Sequence, residues 1–98
     1  MTHTKTINVS GRDRFTFKSI MSTDNPFGLR QSVLLFGSAN GQAVLGVLTI
    51  YDSRSAVNWS GISGDTTVTA SLAGNTVTVV FGVTCYDKFT LMSADRLD

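Results

Sequence analysis

The chain has 98 residues, 42% of them apolar and only 15% charged, with a formal net charge of +1. That length suits one domain with one core, and a chain of this size buries only about 60–65% of the surface its unfolded form exposes. So small and unclustered a charge gives no electrostatic basis for binding nucleic acid or an acidic membrane surface, and no apolar run approaches the roughly 20 residues of a membrane helix.

Thirteen Thr, eleven Ser, ten Val and nine Gly stand against six Ala, three Lys and no Glu. Helix formers are scarce, while branching at Cβ favours the pleated, half-buried surface of a strand. The expected fold is all-β, a small antiparallel β-sandwich or barrel of six to seven strands, in a single domain over residues 1–98 with a frayed tail at 1–5. The opening Met1-Thr-His-Thr-Lys-Thr6 lacks the apolar stretch of a signal peptide, so the expected location is cytoplasmic or particle-associated.

In chain order, Thr4–Val9 reads as a strand with Ile7 and Val9 inward, and Arg14–Lys18 as a cleaner one with Phe15 and Phe17 inward. Ser22–Gln31 reads as a loop and holds the only proline, Pro26. Ser32–Ser38 and Ala43–Tyr51 form a hairpin around Asn40-Gly41, a dipeptide that tolerates the positive φ of a type I′ turn. Its register sets Phe36 beside Leu45 and Leu34 beside Val47 on one face, and Val33 beside Leu48 and Leu35 beside Gly46 on the other. Both faces are apolar, so each requires cover, from further layers or from a symmetry-related copy.

Asp52–Asp65 reads as a second polar loop carrying Trp59. Thr67–Leu72 and Thr76–Phe81 make another hairpin around Gly74-Asn75, with Val68, Ala70, Leu72, Val77, Val79 and Phe81 on a dry face and Thr67, Thr69, Ser71, Thr76 and Thr78 on a wet one. Cys85 continues the inward phase through Val83 and reads as a buried thiol. Lys88–Met92 is the last strand, with a helical turn allowed over Ser93–Leu97.

The inventory for chemistry is short. The single histidine, His3, lies in the expected tail, and the aspartates fall mostly at turns, so no nucleophile has a placed base and no carboxylate pair is set up. One Cys and one His make neither a disulfide nor a zinc site. Phe36-Gly-Ser-Ala-Asn-Gly41 matches no phosphate-binding fingerprint, and Asn8-Val-Ser10 and Asn58-Trp-Ser60 fit the glycosylation pattern only by chance in a chain without a secretory signal. No catalytic residue, metal or cofactor is therefore expected.

The candidate interaction residues are Trp59, Arg12, Arg14, Lys18, Arg30, Gly37 and Gly46. Trp59 in a Gly/Ser context is either a contact anchor or a plug closing one end of the core. The four cations are anion contacts or a solvated edge, and the two glycines, on one face of the first hairpin, form a shallow strip for a neighbour's side chain or accommodate the bulky Leu35 and Val44 opposite them. The first expectation for function is a non-enzymatic assembly or structural module, such as a virion or tail component, whose partner is itself (a homo-oligomer) or another protein. A carbohydrate- or other ligand-binding module built on Trp59 and the polar loops is the alternative. A small inhibitor or sequestering protein acting on a host factor or an anionic ligand is the third.

Overall fold

A computed structural model describes residues 2–19, 30–51, 56–63 and 68–97. Asn40 and Gly41 take φ values of 50° and 81°, the two positive values of a type I′ turn. On either side of them β3 (Arg30–Ala39) and β4 (Gln42–Tyr51) pair in the register the turn dictates, with Leu34 opposite Val47, Phe36 opposite Leu45 and Leu35 opposite Gly46. The second hairpin, β6 (Thr69–Ala73) and β7 (Thr76–Cys85), likewise sets Leu72 opposite Val77 and Ala70 opposite Val79.

Among the described residues eight strands, against the six to seven expected, form two antiparallel sheets. The larger has five strands in the order β1 (His3–Asn8), β8 (Lys88–Ser93), β3, β4, β5 (Ala56–Ser63), and the smaller has three, β2 (Arg12–Lys18), β7, β6. Two separate sheets around one core make this a sandwich, not a closed barrel. No helix occurs among the described residues, so none is long and apolar enough to cross a membrane.

Several sequence expectations are corrected. Ala56–Ser63, read as loop, is strand β5, paired with β4 through Trp59 opposite Leu48 and Val57 opposite Ile50. The expected tail begins β1 at His3, which lies opposite Ser93. Arg30 and Gln31 belong to β3 and not to a loop, and after β8 ends at Ser93 the chain bends at Ala94 and Asp95 and runs to Leu97 with no helical turn. The loop segments 20–29, 52–55 and 64–67, with Pro26 and Thr67, lie outside the described residues.

The core lies between the inner faces. Val33, Leu35, Val44, Leu48, Ile50, Phe89 and Leu91 from the large sheet meet Phe15, Phe17, Val77, Val79 and Phe81 from the small one, all buried. Phe89 and Phe81 stack across the layers at 4.4 Å between ring centroids, with Phe15 at 5.7 Å from Phe81. Each fully buried Phe contributes about 1.5–3 kcal/mol by removal from water, and offset stacking adds to that.

One end of the sandwich is tied by a buried amide. Gln31, 1% exposed, accepts from Ser19 Oγ at 2.6 Å and donates through Nε2 to Ser93 Oγ at 3.3 Å and to the Arg96 carbonyl at 3.2 Å. Ser93 Oγ in turn donates to the Ser32 carbonyl at 2.9 Å. A buried amide is tolerated in a core only when satisfied in this way. It joins the end of β2, the start of β3 and the end of β8.

Candidate interaction surface

The second apolar face of the β3–β4 hairpin is the outer face of the five-stranded sheet. Strand pairing arranges it in rows. Thr4, Met92, Leu34, Val47 and Ser60 form one row across the sheet, since each is the Cα partner of the next. Thr6, Thr90, Phe36 and Leu45 form the row beside it. Outside the first lie Ser32, Thr49 and Asn58, and outside the second Asn8, Lys88, Ser38 and Ala43. The apolar residues Leu34, Phe36, Leu45, Val47 and Met92 thus sit at the centre, bordered by hydroxyls and amides, with Lys88 the one charge in these rows.

Leu34, Phe36, Leu45, Val47 and Met92 are half-buried, a shielding that neighbours within one sheet provide for each other. The small sheet covers only the opposite, inner face, and no other described element lies across the outer one. A groove of about 310 Å³ opens there, lined by Thr2, Ser32, Leu34, Val47, Met92, Ser93 and Ala94. The small sheet's outer face is different in kind: Thr16, Thr69 and Ser71 are exposed, Thr76 and Thr78 half-buried, and Arg14 and Lys18 add charge.

The residues singled out from sequence do not converge. Arg12, Arg14 and Lys18 are exposed on β2, but Arg14 is engaged by its neighbour Asp13, with Nε to Oδ1 at 3.0 Å. That hydrogen bond and charge lower the Asp13 pKa and raise that of Arg14. Both groups are open to solvent, so the pair is screened and worth little. Arg14 and Lys18, four residues apart on an extended strand, stand about 13 Å from each other, too far to grip one small anion. Arg12 lies beyond a register shift, opposite Cys85. The Arg30 side chain, like Asp24, Asp52 and Asp65, is outside the described residues.

The Gly37–Gly46 strip is filled from within the chain. A Cβ on Gly46 would fall 2.3 Å from the Trp59 ring, and one on Gly37 would fall 2.6 Å from the Phe89 ring. Both glycines face inward, and Trp59 and Phe89 occupy the strip, where the sequence suggested either a neighbour or the opposite Leu35 and Val44. Trp59 is half-buried against the core.

Cys85 is buried, as its alternation suggested, but Val83 is 36% exposed. Gly82, at a φ of 73°, breaks the alternation, and the pairing jumps from Arg14 opposite Val80 to Arg12 opposite Cys85. Burial, reinforced by the carboxylates of Asp13 and Asp87, raises the Cys85 pKa and keeps it a thiol. Among the described residues no three His, Cys, Asp or Glu side chains group as metal ligands would.

No family model, curated protein or solved structure matches this chain.

The feature that sequence reasoning reached only in part is the row structure of the outer face. The hairpin register gave its two central strands. Met92 and the hydroxyl borders on β1, β8 and β5 required the pairing of distant segments.

Proposed function

We propose that the protein is a non-enzymatic assembly module whose copies associate through the outer face of the five-stranded sheet. One observation carries this reading: Leu34, Phe36, Leu45, Val47 and Met92 form a continuous apolar centre on a sheet face that no described element covers. Antiparallel sheets keep one face wet unless something packs on it, and contiguous apolar surface with a polar border marks an association site. The low charge of the whole chain fits a surface that meets another without strong repulsion.

Size-exclusion chromatography with light scattering tests it. A mass at or above twice the 10.5 kDa of the monomer is expected at protein concentrations of about 10 µM. A clean monomer through the hundred-micromolar range, on the order of −5 to −6 kcal/mol of association, would overturn the proposal.

A further inference from the structure

Resting on that reading, we infer that the partner is a second copy held face to face by a two-fold axis. The axis lies in the interface plane and crosses the strands midway between the Leu34–Val47 row and the Phe36–Leu45 row. Along β3 the outward residues are Ser32, Leu34, Phe36 and Ser38. This order is symmetric in character about its middle, polar, apolar, apolar, polar. Rotation about the axis lays Leu34 of one copy over Phe36 of the other, and Ser32 over Ser38. An isologous contact demands this kind of self-complementarity, in which one patch serves both partners.

Shape, size and charge agree with it. The groove runs along the Leu34–Val47–Met92 row and is bordered by Ser32, Ser93 and Thr2, so the same rotation brings the large Phe36 and Leu45 side chains of each copy over the groove of the other. The sixteen residues of the four rows, each covering about 6.8 Å by 4.8 Å, make a face on the order of 500 Å² per copy, about 1,000 Å² in all, the lower bound for a specific interface. A standard interface uses about 800 Å² per partner. Lys88 lies in the outermost row, near the β1 side. The rotation carries it over the partner's Ser32 row, away from the other Lys88, so the like charges do not meet. Sheets stacked in this way sit about 10 Å apart with strands within about 30° of alignment.

A crossed pair of charge variants tests the register. Leu34→Asp and Phe36→Lys are each expected to weaken association at least roughly 100-fold, because every homodimer then buries two unpaired charges. Mixed in equal amounts they are expected to form a heterodimer. In it the aspartate introduced at position 34 of one copy meets the lysine introduced at position 36 of the other, while the second crossing keeps native Leu34 over Phe36. Circular dichroism verifies the fold of each. If either variant fails to fold, Ser32→Lys and Ser38→Asp on the polar border apply the same crossing. Thr78→Lys, on the opposite sheet, is expected to associate like the wild type.

A wild type that associates, variants that are monomeric and a mixture that stays monomeric would overturn the two-fold register while leaving self-association standing. Variants that associate as tightly as the wild type would place the contact elsewhere and overturn the face itself. A monomeric wild type would overturn the reading beneath.

Discussion

At Gly46 a hydrogen atom stands where any other residue would place a Cβ 2.3 Å from the edge of the Trp59 ring and 2.7 Å from the Ser60 carbonyl oxygen. Gly46→Ala must therefore push the indole or β5 outward, and overpacking of this kind costs about 1–3 kcal/mol. The expected outcome is a lower urea midpoint together with a red-shifted emission, a clean measurement because Trp59 is the only tryptophan. Cys85 carries a different prediction. Its pKa is raised in the folded state by burial first and by nearby carboxylates second, so its stabilising contribution is complete below the unfolded thiol's value of about 8.5 and is lost as pH rises through the folded value. Wild type compared with Cys85→Val in urea titrations from about pH 7 to about pH 10 should show that loss, starting above about 8.5. A difference between the two that stays flat over the range would refute it.

Among the elements, the two hairpins were legible because their turn residues and alternation are local: Asn40-Gly41 sets the Phe36–Leu45 pairing with no help from distant strands. Gly41 has open space around an added Cβ but a φ of 81°, so Gly41→Ala should cost about 1–2 kcal/mol through the backbone alone. Thermal unfolding would read this as a shift without any spectral change at Trp59. β5 was not legible. Val57 and Trp59 face inward with Asn58 and Ser60 outward, but Gly61 and the surrounding serines look like loop composition, and the pairing to β4 supplies what propensity does not. The same holds for the ties made by Gln31, a polar residue whose burial depends on Ser19 and Ser93 arriving from opposite ends of the chain. On the candidate surface, Leu34, Phe36, Leu45 and Val47 were visible from the hairpin register. Met92 joined them only through β8, and Arg12, Arg14 and Lys18 proved to be separate cations on one strand.

For the whole molecule, the proposed contact is apolar at the centre and nearly free of charge, so screening has little to act on. The dissociation constant is expected to change by less than roughly threefold between low and high salt, or to tighten slightly, whereas contacts through Arg12, Arg14 and Lys18 would weaken steeply. Sedimentation at two sodium chloride concentrations distinguishes these outcomes. The pairing of β1 with β8 has a further consequence: His3 and Ser93 are neighbours across a ladder, which makes the domain a natural subject for circular permutation. A linker joining these two strands, with a new opening at Ser10-Gly11, a turn between strands of different sheets that do not pair, would turn the most distant pairing in the chain into a local one and speed folding without altering either sheet. That linker would also pass the mouth of the groove bounded by Thr2, Ser93 and Ala94, so the permuted protein would be expected to keep its sandwich and lose the proposed self-association.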